Sequence, residues 1–409
     1  MASSLQKCCQ DSVRIHSGPP ALYQLKLKRA NLDRRSDQQS KLRRFTYGQQ
    51  NPKYPTKTIL LVGATGSGKS TLINALVNFV MGVKFEDKMW FEIVADESDR
   101  AQSESQTSEI SVYEIFGFEG KTVPFSLTII DTPGYGDTRG IKYDDINSKK
   151  LQELFGVLSG RTEIDAVGFV MKATENRLDE RMSYIFNSVT SLFGKNMEEN
   201  IVMMFTFSDG SEPTSALRAL KDANIKCATD EDGDPAYFLF NNRQKEKRQA
   251  GKAAEKAAKF AFETSEEGLE EFTDCLERSE PQSLTSTVQV MMERKQLTMC
   301  IQDIKELKTS PAGQMQNIVH SFRHLQVTPG EKMFHLLDEA LCIIEHLEEI
   351  ALNVDSVSTF IHLDFLIENM KENVEFKASN HGALQKLERI KNRMNKPNQA
   401  GAVYYKLRR

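Results

Sequence analysis

A glycine-rich loop between a short apolar run and a helical segment constrains this chain more than any other feature. The loop reads GATGSGKST at residues 63–71, directly after TILLV and before LINALVNFV. It fits the spacing G-x-x-x-x-G-K-[ST], in which backbone N–H groups surround a phosphate at the positive end of a helix. The sequence therefore predicts a phosphate site in which Lys69 faces the β- and γ-phosphates and Ser70 contacts Mg²⁺.

A second motif, IIDTPGYGD at residues 129–137, follows another apolar strand. Asp131 ends that strand, where a carboxylate can hold Mg²⁺, usually through water. Gly134 follows a rigid proline and can bring its N–H close to a γ-phosphate. By itself the motif could be a simple Pro-Gly turn, but behind a phosphate loop we interpret it as the second half of the same site.

The stretch ADESDRAQSESQTSE, residues 95–109, is acidic, rich in serine and without periodicity. It lies between the first helix and the second strand of the nucleotide region, and we expect it to be a flexible loop. Thr107 stands near its end and is our candidate for a threonine that reaches Mg²⁺ when a γ-phosphate is present. Position alone supports this role, for which Thr65, Ser105 and Ser108 compete.

The fold class follows from short β-rich runs that alternate with helix-like segments. This alternation predicts an α/β domain over residues 58–243, with a six-stranded, mostly parallel sheet covered on both faces. A short link between the second and third strands predicts one antiparallel pair at a sheet edge. The strands are expected at 58–63, 109–116, 125–131, 165–173, 200–207 and 236–241, and the helices near 69–80, 144–158, 178–193 and 213–223.

The N-terminal residues differ in charge from the rest of the chain. Residues 1–57 hold 12 Lys/Arg and 3 Asp/Glu, a net of +9, so the remainder carries -13 of the total of -4. We expect a basic, disordered arm that either contacts an anionic membrane surface or only solubilises the chain. Nucleic acid is a less favoured partner, because the arm has few aromatic residues and the rest of the chain is acidic.

The C-terminal residues 244–409 are expected to be α-helical. Residues 243–263 read as a basic, alanine-rich helix, and Val290, Leu297 and Ile304 recur at intervals of seven. Such short heptad stretches favour helices that pack on each other, and a coiled coil is the alternative. The chain has no apolar run near the ~18 residues that span a bilayer, and its six cysteines show no metal-ligand spacing. We therefore expect a cytoplasmic protein.

In order, GATGSGKST, DTPGYGDTRG and TFSDG resemble the septin-like class of P-loop GTPases. FLFNNR, residues 238–243, is similar to the base-side loop of the related immunity-associated (GIMAP, AIG-type) GTPases. The resemblance covers residues 58–243 and implies GTP or GDP with Mg²⁺, and a homodimer or homo-oligomer formed through the nucleotide domain. It assigns nucleotide contacts to Gly63, Ala64, Thr65, Gly66, Ser67, Gly68, Lys69, Ser70, Thr71, Asp131, Gly134, Thr206, Asp209, Asn241 and Asn242, catalysis to Lys69, Thr107 and Gly134, and the metal to Ser70, Thr107 and Asp131.

Two positions depart from the family pattern. Phe207 stands where Asn/Thr-Lys-x-Asp has lysine, and its ring either stacks on the base or fills the core. Asp209 can still select guanine through the N1 and N2 donors. Tyr135 replaces the water-orienting glutamine of many small GTPases, so hydrolysis should be slow or completed by a partner. Three functions are compatible with the sequence. The leading hypothesis is a slow GTPase switch, the second is a non-hydrolysing scaffold that holds guanine nucleotide, and the third is an ATPase, which Asp209 disfavours.

Overall fold

The computed structural model describes residues 2–31, 42–94, 109–135, 141–158, 163–175, 180–248, 251–309, 329–354, 357–372 and 381–393. The chain forms two compact units. One unit comprises residues 1–185 and 197–284, and the other comprises residues 186–196 and 285–409.

The described strands and helices follow one another along the chain with these bounds. The strands are β1 (Ser12–His16), β2 (Ala21–Leu25), β3 (Lys28–Asn31), β4 (Leu42–Tyr47), β5 (Thr56–Gly63), β6 (Met89–Glu92), β7 (Ile110–Ile115), β8 (Ser126–Asp131), β9 (Glu163–Ile164), β10 (Ala166–Lys172), β11 (Ile201–Thr206), β12 (Tyr237–Leu239) and β13 (Gln282–Ser283). The helices are α1 (Ala2–Gln10), α2 (Lys69–Met81), α3 (Ile141–Leu158), α4 (Glu180–Thr190), α5 (Thr214–Asp222), α6 (Lys252–Arg278), α7 (Thr285–Thr309), α8 (Pro329–Ile350), α9 (Val357–Glu372) and α10 (His381–Arg393).

The main sheet of the first unit has the order β12-β11-β10-β5-β8-β7-β4-β3 among the described strands. The pairs from β12 to β8 are parallel, as is β4 with β7, whereas β7 with β8 and β3 with β4 are antiparallel. The predicted α/β class with a mostly parallel sheet is confirmed. All six predicted strands are present, and β7 and β8 form the predicted antiparallel pair.

Two further strands of this sheet, β3 and β4, come from the segment that the sequence assigned to a disordered arm, and β1 and β2 of the same segment form a separate sheet with β6. β4 pairs with β7, with Leu42 opposite Ile110, and β3 pairs with β4. The arm prediction is therefore wrong for the described part of residues 1–57, and the β7–β8 pair does not lie at the sheet edge. The sequence does not indicate β4 as a strand, because Arg43 and Arg44 interrupt its apolar pattern. Their acidic partners, Glu109 and Glu114, are distant along the chain.

Both faces of the central strands are buried, as expected for parallel strands. Ile59 and Leu61 of β5 point to one face and join a core with residues of α2 and α6. Leu60 and Val62 point to the other face and have no exposed surface. Helix α6 starts later and ends later than the predicted helix 243–263, and it buries residues such as Phe272 in the same core.

The second unit is helical. Residues of α7, α8, α9 and α10 share one apolar core, and the heptad positions Val290, Leu297 and Ile304 are buried in it. A core shared by four helices is a bundle, so these positions do not define a two-stranded coiled coil. In the part of the chain that the structure describes, no helix has the length and apolarity to cross a membrane.

Candidate nucleotide-binding site

The phosphate loop connects β5 to α2. Gly68 caps α2 with φ of 92°, and no side chain caps the helix, so the N–H groups of its first turn have no side-chain partner there. Gly63 has φ of 154°, and a Cβ at this position would lie 2.2 Å from the carbonyl oxygen of Val170. Only glycine fits that close approach. The loop is therefore open toward an anion at the positive end of the helix.

Buried polar atoms of the same loop fit an anionic ligand. The hydroxyl oxygens of Thr65 and Ser67 are buried and have no hydrogen-bond partner among the described residues. Gly66, with φ of 79°, is exposed and has open space on its Cβ side. Since buried hydroxyls without partners are costly, phosphate oxygens are a suitable complement to this loop.

Lys69 lies under the loop and is only 7% exposed. Its Nζ donates to the carbonyl oxygens of Gly63 (3.0 Å) and Ala64 (3.2 Å). Burial lowers the pKa of Lys69 to about 8, and the charge of Asp131 partly opposes this effect. The site thus holds a cation whose charged form is destabilised by burial and which a phosphate would stabilise.

Two of the predicted metal residues are described: Asp131 ends β8, and Ser70 lies in the first turn of α2. Asp131 is fully buried and is the register partner of Leu61 in β5. Ser70 is the second residue of α2 and is half-buried. A carboxylate and a hydroxyl are oxygen donors of the kind that Mg²⁺ prefers, so these residues fit that ion. Thr107 lies outside the described residues, as does the rest of the predicted loop up to residue 108.

The second motif lies directly on the phosphate loop. Tyr135 donates its N–H to the carbonyl of Gly63 (3.1 Å) and accepts from the N–H of Thr65 (3.1 Å). A Cβ on Gly134 would lie 2.7 Å from the Cα of Thr65, so this contact requires glycine. The Tyr135 side chain is fully buried. Both motifs are therefore joined through backbone hydrogen bonds.

The loop with Asp209 is also held against the phosphate loop. The Thr206 hydroxyl donates to the carbonyl oxygen of Ser67 (2.6 Å) and lies 3.2 Å from that of Met171. Asp209 is exposed, and its Oδ1 accepts from the hydroxyl and the N–H of Ser211. These bonds lower the pKa of the Asp209 carboxyl. Thr206 thus serves as a brace between the loops, while Asp209 presents an ionised carboxylate.

The segment with Asn241 and Asn242 lies beside this base-side loop. The N–H of Ser208 donates to the carbonyl of Phe240 (3.0 Å). Ser265 of α6 accepts from the N–H of Asn241 (2.9 Å) and donates to Oδ1 of Asn242 (3.0 Å). Sequence reasoning missed Ser265, because it belongs to a helix beyond the motifs and no local pattern marks it.

Comparison with known proteins agrees with this geometry. Residues 57–260 match the sequence profile of the AIG1 family. This part of the chain belongs to the AIG1 family. The predicted AIG-type P-loop GTPase domain is therefore confirmed.

The AIG1 domain also has curated relatives. The chain is 30% identical over 157 residues to GTP-binding protein A of Dictyostelium discoideum, covering 38% of this chain and 29% of that protein. It is 27% identical over 196 residues to immune-associated nucleotide-binding protein 13 of Arabidopsis thaliana, covering 47% and 51%. The chain thus spans about half or less of the length of these relatives.

One solved structure with a similar fold is Toc33 from Arabidopsis thaliana in complex with Mg²⁺ and GMPPNP. It is 20% identical, has a TM-score of 0.37, and covers 56% of this chain and 89% of the other. A likeness of this degree does not transfer residue roles.

The structure shows which way the Phe207 side chain points, a question that the sequence left open. Phe207 has φ of +55° and a side chain that is 56% exposed, so the alternative in which it fills the core is wrong. The Nζ of Lys172 lies 5.7 Å from the centroid of its ring. Sequence reasoning missed Lys172, although a lysine at the end of an apolar strand is a detectable signal.

Proposed function

We propose that the AIG1 domain binds GTP and GDP with Mg²⁺ and hydrolyses GTP slowly. The observation that carries the proposal is the hydrogen bond from Thr206 to the carbonyl of Ser67 (2.6 Å). This bond holds the loop with Asp209 against the phosphate loop. One nucleotide can therefore engage the two loops together, with its phosphates at α2 and its base at Asp209.

The residues of the phosphate side have distinct roles in this proposal. The N–H groups of residues 66–71 and the ammonium of Lys69 hold the phosphates. Ser70 and Asp131 hold Mg²⁺, together with Thr107 when a γ-phosphate is present. When bound, the ion neutralises negative charge that develops on the phosphates. Gly134 supplies a backbone N–H to the γ-phosphate.

Guanine selection is proposed for Asp209. Both contacts from Ser211 use Oδ1, and Oδ2 has no hydrogen-bond partner among the described residues. The ionised carboxylate accepts the N1 and N2 donors of guanine, a pair that adenine lacks. Competition binding tests this role: ATP should fail to displace labelled GDP at comparable concentration, and equal displacement by ATP would contradict it.

Slow hydrolysis is supported by Tyr135. Its side chain is fully buried and has no amide to orient an attacking water. The same observation favours the second function, a scaffold that holds guanine nucleotide without hydrolysing it. Single-turnover hydrolysis with Mg²⁺ separates the two functions. A rate above that of the Lys69→Ala variant supports the GTPase, and a rate equal to it supports the scaffold.

We extend the proposal to assembly and location. The septin-like motifs support a homodimer or homo-oligomer that forms through the nucleotide domain in one nucleotide state. For atToc33 and psToc159, dimerisation is important for GTPase activity, but a TM-score of 0.31 does not transfer this property. Light scattering with GDP and with a GTP analogue provides the direct test, and an unchanged mass would contradict a nucleotide-controlled switch.

The proposed location is the cytoplasm, with peripheral membrane contact through the basic N-terminal segment. Arg43 and Arg44 of that segment already pair with Glu109 and Glu114, which reduces the charge available for lipid. Flotation with vesicles that contain anionic lipid tests the contact. Protein that remains in the bottom fraction at low salt would rule it out.

A further inference from the structure

Phe207 is exposed at a point where the backbone is strained. Large side chains rarely adopt positive φ, because the Cβ of a left-handed residue other than glycine lies too close to the backbone. Phe207 has φ of +55° and exposes 56% of its surface. Burial in the core therefore does not compensate this strain. Strained backbone conformations cluster at ligand and active sites, so this exposed ring is a candidate ligand contact.

Lys172 is the neighbour that accompanies this ring. It is the last residue of β10 and is the register partner of Thr206 in β11. It is half-buried, and it forms no ion pair among the described residues. Its Nζ lies 5.7 Å from the Phe207 ring centroid, a distance at which ammonium and ring attract each other.

The position of this pair connects it to the nucleotide site. β10 lies between β5, which leads into the phosphate loop, and β11, which leads into the loop with Asp209. Thr206 contacts the carbonyls of Ser67 in the phosphate loop and of Met171, the residue before Lys172. A nucleotide that spans the two loops therefore passes the carboxyl end of β10.

We infer that Phe207 and Lys172 together form a platform for the purine base, with the ring stacking on the base and the ammonium holding the ring in place. Lys172 is a positioning residue in this arrangement, because it acts through the ring. The inference rests on the proposed nucleotide binding and adds a recognition element contributed by a strand outside the sequence motifs.

Binding of GDP and of pyrophosphate, measured by calorimetry, tests the platform. Phe207→Leu should weaken GDP binding by about 5- to 150-fold, the range for loss of one base–aromatic stack. Lys172→Met should weaken it by about 2- to 5-fold, and Lys172→Arg should restore it. Neither substitution should change pyrophosphate affinity, because that ligand has no base. In the Phe207→Leu background, Lys172→Met should have less than about a twofold further effect.

Phe260→Leu is the matched control. Phe260 of α6 is also exposed (51%), and its ring lies near Gly210, which belongs to the same loop as Phe207. This substitution should leave GDP affinity unchanged. Equal losses for GDP and pyrophosphate in Lys172→Met would overturn the inference, because they would indicate a phosphate contact. Unchanged GDP affinity in Phe207→Leu would overturn it as well. If the unmodified protein binds neither ligand, or if Lys69→Ala binds GDP normally, the proposed function itself fails.

Discussion

The buried ammonium of Lys69 makes stability and nucleotide affinity depend on pH in opposite directions. Lys69 is 7% exposed, and burial lowers its pKa from 10.5 to about 8. Between these two pH values the unfolded chain binds more protons than the folded chain, so stability rises with pH. Below about pH 8 both states are protonated and the penalty is constant. At about 1.36 kcal/mol per pH unit, the full difference is about 3 kcal/mol.

Nucleotide binding should reverse the effect. Phosphate oxygens beside Lys69 favour its charged form and raise its pKa again. Above about pH 8, binding must therefore take up a proton, and the affinity for GDP should fall by up to about tenfold for each pH unit.

Two measurements check this coupling. In urea unfolding from pH 7 to 10, the unmodified protein should gain up to about 3 kcal/mol of stability relative to Lys69→Met as pH rises, because methionine carries no charge. Calorimetry of GDP binding at pH 9 in two buffers of different ionisation enthalpy should show uptake of a proton. A stability difference independent of pH, together with GDP binding that takes up no proton, would refute the reasoning.

Three further substitutions have defined outcomes. Thr206→Val should lower the free energy of unfolding by about 1–3 kcal/mol in urea titrations, because it leaves a buried phosphate-loop carbonyl without its donor; Thr206→Ser should retain most of the stability. Gly134→Ala should lower the melting temperature, since its methyl group would lie 2.7 Å from the Cα of Thr65, and an unchanged value would contradict that close contact. Asp165→Asn should lower the free energy of unfolding by about 3–5 kcal/mol, because it leaves the ammonium of Lys57 (12% exposed, 2.9 Å away) without its carboxylate. Adding Lys57→Met should recover part of this loss, and additive effects of the two substitutions would argue against the ion pair.

The central strands could be predicted because each of them is a short apolar run that is visible in the local sequence. Runs such as TILLVG are apolar on both faces, and the glycine spacing of the phosphate loop reflects backbone geometry that few other residues can adopt. β4 could not be predicted in this way. Its two arginines pair with Glu109, just before β7, and with Glu114 of β7, and these partners lie about 65 to 70 residues later, where a local pattern does not contain them.

The residues of the candidate site likewise fall into two groups, those that the sequence predicts and those that only the structure reveals. Lys69 and Asp131 are predicted from motifs with a characteristic spacing, and Asp209 is predicted from the resemblance to septin-like GTPases. Ser265 and Lys172 come from other elements, and only the packing of α6 and β10 brings them to the base-side loop. Ser265 has no signal in the sequence, and the lysine that ends β10 can be connected to the base-side loop only through the structure.

The phosphate loop is fixed on both sides, and this determines which substitutions can be interpreted. Tyr135 is bonded to its first residues through the backbone, and Thr206 is bonded to the carbonyl of Ser67. A change within the loop therefore disturbs the metal side and the base side together, and its effects on binding cannot be assigned to either. Phe207 and Lys172 lie off the loop. A comparison of GDP with pyrophosphate in their variants can thus separate base recognition from phosphate recognition, which no phosphate-loop variant can do.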